Sequence, residues 1–174
     1  DNALDILEAT DSPQLDPTTA APRRVIKARA LANSGHPEEA LQLLADDYGR
    51  NAIRLKFEIY WNAGQWSNAS EAIKYLIEEP VPGQALSTEQ INYILDWATA
   101  LKQAGKETVL VRLHNKFMPY FANTKYHSVF NILTNHLEKN IINMQEISQM
   151  VSDVRDFNNI SRFYSESLKD TDIK

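Results

Sequence analysis

The chain has no cysteine among its 174 residues and only five glycines. Without cysteine it forms neither a disulfide nor a thiolate metal site, and it has no cysteine nucleophile. The glycines are isolated from one another, which excludes a glycine-rich phosphate-binding loop. No serine stands in the G-x-S-x-G context of a hydrolase nucleophile. The commonest sequence signatures of catalysis are therefore missing.

Basic residues are not in excess, because 18 Lys and Arg accompany 23 Asp and Glu for a net charge of −5. A nucleic-acid-binding protein normally needs a clustered basic face, so we expect no nucleic-acid partner. No apolar run approaches the roughly 18 residues of a membrane span, and the amino end lacks a secretion-signal pattern. We therefore expect a cytoplasmic segment without direct membrane insertion, although a longer parent chain could carry a membrane or targeting segment.

The titratable residues do not form a metal-binding or catalytic pattern. The four histidines lack the spacing of zinc-binding helices. Adjacent acidic residues stand at predicted helix ends, where solvated carboxylates are common, and no pair is set in two contrasting environments. We therefore predict that the chain is not an enzyme and has no cofactor and no metal.

Two stretches share one pattern, a glycine followed five residues later by an alanine, with apolar residues at helical spacing on both sides. They centre on Gly35 with Ala40 and on Gly64 with Ala69. Glycine takes the left-handed conformation that closes a helix, and a small alanine lets two paired helices approach closely. Each stretch therefore predicts a helical hairpin.

A third copy surrounds Gly105, with Leu110 in the place of the alanine. The steps between the turn glycines are 64 − 35 = 29 and 105 − 64 = 41 residues, with a mean of 35. This mean is close to the period of about 34 residues in tetratricopeptide repeats. The second step is longer because residues 81–86 add a connection that contains Pro-Gly.

The turn glycines, the second-helix alanines and Pro80 resemble the tetratricopeptide repeat family over residues 22–117. The resemblance implies an all-α fold, a right-handed superhelical array of helical hairpins, or α-solenoid, with a C-terminal helical cap. The small first-helix residue of the family is Ala28 and Ala98 in copies one and three but Phe57 in copy two. We therefore expect less regular packing in the middle hairpin. More loosely, the chain resembles the C-terminal part of long bacterial tetratricopeptide proteins.

The predicted organisation is one continuous domain of eight to nine helices without a sheet. Residues 1–21 are a partial repeat helix and a proline-rich loop, residues 22–118 are three hairpins, and residues 119–174 are capping helices. The helix predicted in residues 1–10 is either a hairpin helix without its partner or a simple amino-terminal helix. Pro119 is expected to end the third hairpin. Beyond a helix in residues 124–138, the narrow apolar seam in residues 141–168 is either a closing cap or a dimerisation surface.

Local signals also predict where helices begin. Pro37 suits a first helical turn, and Glu38 and Glu39 suit the positive end of the helix dipole. Ser87 and Gln90 have the spacing of a capping box, in which each side chain bonds to the backbone N–H of the other. By contrast Ser70→Ala, next to the alanine of the second hairpin, should be near neutral for stability if Ser70 is exposed.

The resemblance implies a function, because the first helices of successive tetratricopeptide hairpins line a concave groove. We predict a non-catalytic scaffold that binds a peptide or a partner helix there. Trp61 would serve as an aromatic anchor, unless it is buried between hairpins, and Arg54 as a fork for a carboxylate. Alignment of the three turns places the groove residues at Arg29, Asn33, Arg54, Glu58, Trp61, Asn92, Leu95, Thr99 and Lys102.

The alternative function is a structural module that self-associates through its C-terminal helices. We expect a monomer rather than a dimer, as part of a longer chain, with another protein or peptide as its partner. One subset of the family holds chaperone carboxy-termini with a clamp of basic and Asn residues. That specialised role is not expected, because only one of the corresponding residues is basic; they are Val25, Arg29, Leu55, Asn92 and Asp96.

Overall fold

The computed structural model describes residues 17–135. Over that range the chain is all-α, as predicted, with seven α-helices, one short 3₁₀-helix and no strand. The chain divides into two compact units, Asp1–Glu79 and Pro80–Lys174. The first unit has α1 (Pro17–Asn33), α2 (Pro37–Leu43), α3 (Arg50–Asn62), α4 (Trp66–Ile73) and the 3₁₀-helix Lys74–Leu76; the second has α5 (Thr88–Gln103), α6 (Glu107–Phe121) and α7 (His127–Thr134).

The three predicted hairpin turns share one geometry. Gly35, Gly64 and Gly105 have φ values of 86°, 65° and 65°, which are left-handed conformations that favour glycine. In each turn the residue after the glycine donates its backbone N–H to a carbonyl five residues earlier, which closes the preceding helix. These bonds run from His36 to Leu31 at 2.9 Å, from Gln65 to Tyr60 at 2.8 Å and from Lys106 to Leu101 at 2.9 Å.

In the core of the first unit, the first hairpin packs against α3, the first helix of the second hairpin. The predicted contact alanines, Ala40 of α2 and Ala69 of α4, are completely buried. Apolar residues that recur every three to four residues form one side of each helix, and this side faces the interior. One cluster of buried residues contains Ala28, Ala40, Leu44, Ala52, Leu55 and Ile59.

Ser70 is buried, so the condition under which Ser70→Ala was expected to be neutral is not met. Its side chain lies in α4 beside Ala69, and the residue is 1% exposed. The hydroxyl donates a hydrogen bond of 2.8 Å to the carbonyl of Ser67, one turn earlier. This local bond satisfies the hydroxyl inside its own helix, and burial therefore leaves no polar group unpaired.

Two prolines lie inside helices, although each was expected to mark a helix boundary. α1 begins at Pro17 and contains Pro22, so residues 17–22 are helical where a loop was predicted. α6 continues past Pro119 to Phe121, so this proline does not end the helix. Each ring removes one backbone N–H from its helix, and both Pro22 and Pro119 are exposed. Water can then bond to the carbonyl that the missing donor leaves free.

The second unit begins with the predicted capping box. The Ser87 backbone N–H donates to Gln90 Oε1 at 2.8 Å, and the Gln90 backbone N–H donates to Ser87 Oγ at 3.2 Å. α5 therefore starts with two of its otherwise unpaired donors satisfied. Its apolar stripe is buried throughout and contains Ile91, Ile94, Leu95, Ala98 and Leu101.

Aromatic stacking joins α6 to α7 in the second unit. The rings of Phe121 and Phe130 have centroids 4.2 Å apart and are nearly parallel, and both side chains are fully buried. The imidazole of His114 is parallel to the Phe130 ring, and the centres of these two rings are 6.1 Å apart. α7 begins at His127, three residues after the predicted start at 124, because a turn at 124–126 precedes it. The end of that predicted helix, residues 136–138, lies outside the described residues.

Several predictions lie outside residues 17–135. These are the helix in residues 1–10, the start of the proline-rich loop and the apolar seam in residues 141–168. The predicted domain boundaries at 21 and 118 stay predictions. Within the range that the structure describes, no helix has both the length and the apolar character needed to cross a bilayer.

Candidate functional site

The predicted groove residues of the first unit lie on its first helices, and we call this set the first-helix face. Arg29 and Asn33 are on α1 and are exposed, whereas the α3 residues are half-buried. The α3 residues follow one another by four and three positions, so they lie along one side of that helix. The set comprises Arg29, Asn33, Arg54, Glu58 and Trp61.

An ion pair connects the two helices of this face. Arg29 Nη1 lies 2.8 Å from Glu58 Oε2, and the two side chains are 47% and 38% exposed. The residues are 29 positions apart, which equals the distance between the turn glycines Gly35 and Gly64. Arg29 and Glu58 therefore occupy equivalent positions in successive hairpins, and the structure brings these positions into contact.

Trp61 belongs to an aromatic cluster at the turn between α3 and α4. Its ring centroid is 5.1 Å from that of Trp66 in an edge-to-face arrangement and 5.3 Å from that of Phe57. Trp61 and Trp66 are both half-buried, whereas Phe57 is 7% exposed. The sequence left two possibilities for Trp61, an exposed anchor and a buried core residue. Its observed burial lies between the two.

The other predicted groove residues belong to the second unit, and Asn92 among them is half-buried. Thr99 is 2% exposed and donates its hydroxyl to the Leu95 carbonyl at 2.9 Å, which does not fit its predicted place on an open surface. Leu95 is equally buried. Lys102 Nζ donates to the Ile132 carbonyl of α7 at 2.8 Å and so helps to hold α5 against α7.

A pocket that the sequence patterns did not predict lies on another side of α3, and we call it the tyrosine pocket. It is an open depression of about 210 Å³ between α3, α4, the 3₁₀-helix and the loop after α2. Tyr48 and Tyr75 on its rim are 74% and 67% exposed. The sequence signal was the spacing of the α3 residues by three and four, which marks one side of a helix. The pocket is lined by Tyr48, Ile53, Lys56, Tyr60, Asn68, Glu71, Ala72 and Tyr75.

Lys56 connects this pocket to the loop after α2. Its ammonium donates to the carbonyls of Ala45 and Asp47 at 3.0 and 2.9 Å and lies 5.2 Å from the centre of the Tyr48 ring. Burial lowers the pKa of Lys56 below its ordinary value, and the carboxylates of Asp47 and Asp46 oppose this shift. The loop thus holds a partly desolvated cation beside an aromatic ring.

No group of three or more histidine, aspartate or glutamate side chains within residues 17–135 has an arrangement that could hold a metal ion. Comparisons of the chain with protein-family models, with curated proteins and with solved structures found no match. The two surfaces of the first unit are therefore the basis for a functional assignment.

Proposed function

We propose that the chain is a non-catalytic protein-interaction scaffold whose first-helix face binds a peptide or a helix of another protein. The contact between Arg29 and Glu58 supports this proposal most directly. Because it joins equivalent positions of two hairpins, the residues of that face continue from one hairpin to the next. A continuous face of this kind matches an extended polypeptide better than a small molecule, which binds in a concave and enclosed pocket.

We also propose that the hairpins are units of a tetratricopeptide-like, right-handed α-solenoid. The shared geometry of the glycine turns and the complete burial of Ala40 and Ala69 support this proposal. So does the core cluster, in which the first hairpin packs on α3. Repeat arrays are stabilised through such contacts between neighbouring repeats.

The chemistry of the face favours a partner segment with both charged and apolar side chains. Arg29 and Glu58 present one charge of each sign and are partly open to solvent. A guanidinium such as that of Arg54 holds a carboxylate in a two-pronged geometry that lysine cannot copy. The half-buried ring of Trp61 offers an apolar contact next to these charges. Tryptophan and arginine are the residue types that most often dominate binding energy at protein interfaces.

The test uses the full chain as bait and compares the captured proteins with those of point variants. Arg54→Ala removes the carboxylate fork, and Trp61→Phe shortens the aromatic contact while keeping an apolar ring beside Trp66. A partner that the parent chain captures should bind Arg54→Ala about 5- to 30-fold more weakly, as for an interface hot spot. Calorimetric titration of that partner measures the change.

Arg112→Ala is the matched control, because Arg112 is an exposed arginine of the second unit. It should retain the parent affinity. Thermal melts of all variants separate binding from folding, because a variant that melts like the parent and binds more weakly has lost only its contact with the partner. Full retention of the partner by both first-helix variants, with stability intact, would show that this face is not the binding surface.

A further inference from the structure

The tyrosine pocket lies on a side of α3 that the first-helix face does not use. Ile53, Lys56 and Tyr60 line it from α3. An α-helix turns by about 100° per residue, so these three side chains and those of the first-helix face leave α3 in different directions. The pocket is therefore a separate surface of the first unit, and its role is independent of the function proposed above.

The rim of the pocket exposes more aromatic surface than folding requires. Tyr48 and Tyr75 have about three quarters and two thirds of their surface open to water. Aromatic rings contribute most to stability when they are buried, so the fold gains little from these two. Tyrosine is also enriched among the residues that dominate protein interfaces, where such residues cluster around small pockets. The composition of the rim is that of a contact site.

The size of the pocket limits its occupant. Its volume of about 210 Å³ is below the range of roughly 300 to 1,000 Å³ that small-molecule and cofactor sites occupy. An apolar cavity of about 150 Å³ is nevertheless large enough to hold benzene. The pocket therefore has room for one ring, such as a single aromatic side chain.

The charges around the pocket are already matched within the protein. The ammonium of Lys56 is held by two backbone carbonyls beside the Tyr48 ring. Lys74 forms an ion pair with Glu71 and lies 5.1 Å from the centre of the Tyr75 ring. A cationic guest would meet two ammonium groups already placed near the tyrosine rings. An anionic guest would meet the carboxylate of Glu71 and a lysine that already donates two of its three N–H groups to backbone carbonyls. A neutral guest is the electrostatic match.

We propose that the tyrosine pocket receives one neutral aromatic side chain, a phenylalanine, tyrosine or tryptophan, from a partner polypeptide. The guest ring packs between Tyr48, Tyr60 and Tyr75 in edge-to-face or offset contacts. Ile53 and Ala72 form the apolar part of the lining. The first unit then has two contact surfaces on different sides of α3, one polar and continuous and one a pocket for a single ring.

The experiment titrates the full chain with three small probes and follows the backbone amide signals by nuclear magnetic resonance. N-acetyltyrosinamide represents the proposed guest, N-acetylleucinamide is a neutral aliphatic counterpart, and tetramethylammonium tests for a cation-binding cage. N-acetyltyrosinamide should shift amides around the pocket and saturate, with about two- to tenfold higher affinity than the leucine compound. Tetramethylammonium should bind more weakly than either.

Tyr75→Ala should weaken the binding of N-acetyltyrosinamide at least twofold without loss of the folded spectrum, because Tyr75 is mostly exposed. Tyr48→Ala tests the opposite wall and should have the same effect. Val111→Ala, a truncation of an exposed apolar residue in the second unit, should leave the affinity unchanged. The proposal is overturned if tetramethylammonium binds at least as tightly as N-acetyltyrosinamide, or if Tyr75→Ala binds N-acetyltyrosinamide like the parent chain. It is also overturned if the amide shifts that N-acetyltyrosinamide causes lie away from the pocket or do not saturate.

Discussion

His114 Nδ1 lies 2.7 Å from Thr134 Oγ1, and this contact joins α6 to α7 in the second unit. The Thr134 hydroxyl also lies 2.7 Å from the Phe130 carbonyl. A carbonyl only accepts, so the single hydroxyl proton points to Phe130 and the hydroxyl oxygen accepts from His114. His114 must then carry a proton on Nδ1, which makes it a donor in a chain of two hydrogen bonds.

The first prediction follows from these two hydrogen bonds of the Thr134 hydroxyl. Thr134→Val keeps the shape of the side chain, which is 1% exposed, but removes the hydroxyl from both hydrogen bonds. We expect the free energy of unfolding to fall by about 1 to 2 kcal/mol, because His114 Nδ1–H loses its acceptor beside the aromatic stack. Urea denaturation measures the change. Thr108→Val, an exposed threonine of α6, is the control and should change stability by less than about 0.5 kcal/mol. Equal effects of the two substitutions would contradict the assigned hydrogen bonds.

The second prediction concerns the ion pair between successive hairpins. A double-mutant cycle with Arg29→Gln and Glu58→Gln should give a coupling energy of about 0.2 to 1 kcal/mol, since both side chains are partly exposed. The coupling should shrink when salt is raised towards 1 M. A second cycle that pairs Arg29→Gln with Glu38→Gln, an exposed residue at the start of α2, should give no coupling. Zero coupling for Glu58 at low salt would show that the contact does not hold the hairpins together.

The third prediction tests the close contact at the second-helix alanine. Ala69 is completely buried, so Ala69→Leu forces three additional carbon atoms into a packed core. We expect a loss of about 1 to 3 kcal/mol in the free energy of unfolding. Ser67→Leu introduces the same side chain at an exposed position of the same helix and should change stability by less than about 0.5 kcal/mol. Thermal melts in which the two leucine variants behave alike would disprove the hairpin packing.

The fourth prediction uses the titration of Lys56. Burial lowers the pKa of Lys56 in the folded protein. As pH rises towards the ordinary lysine value of 10.5, the folded state therefore releases this proton before the unfolded state does. Since the unfolded state then binds more protons, Lys56 makes stability rise with pH in that window. Lys56→Met removes the group, so the parent should gain stability relative to this variant between pH 8 and about 10.5.

Lys56→Arg is the control for this titration, because a guanidinium stays charged throughout the same range. The stability difference between the Met and Arg variants should therefore be the same at every pH. Urea midpoints at pH 8, 9 and 10 give the comparison. A parent chain that loses stability relative to Lys56→Met as the pH rises would reverse the expected sign.

Much of the secondary structure could be predicted because it depends on contacts between near neighbours in the sequence. The capping box of Ser87 and Gln90 needs only a spacing of three residues. The turns at Gly35 and Gly64 need a residue that takes a positive φ after an apolar helix. Burial of Ala69 follows from its place on the apolar stripe of α4. These features are local, so one sequence was enough to predict them.

Local rules failed where burial and backbone context override residue preference. Ser70 and Thr99 are polar, but each bonds to a carbonyl of its own helix and is buried. Pro22 and Pro119 are helix breakers by their chemistry, yet both are accommodated at exposed positions within helices. Preference alone could not predict these outcomes, because each depends on which side of the helix faces the core.

The sequence by itself determined the all-α class of the described residues and the three glycine turns. Only the tertiary structure decided that Arg29 meets Glu58 and that Tyr48, from a loop, meets Tyr75, from a 3₁₀-helix, at one pocket. The physical reason is the separation along the sequence between the residues that interact. Helix periodicity acts over three to five residues, whereas the ion pair joins residues 29 positions apart, from 29 to 58, and the pocket is lined by residues 27 positions apart, from 48 to 75. Such contacts form only when whole helices pack against one another.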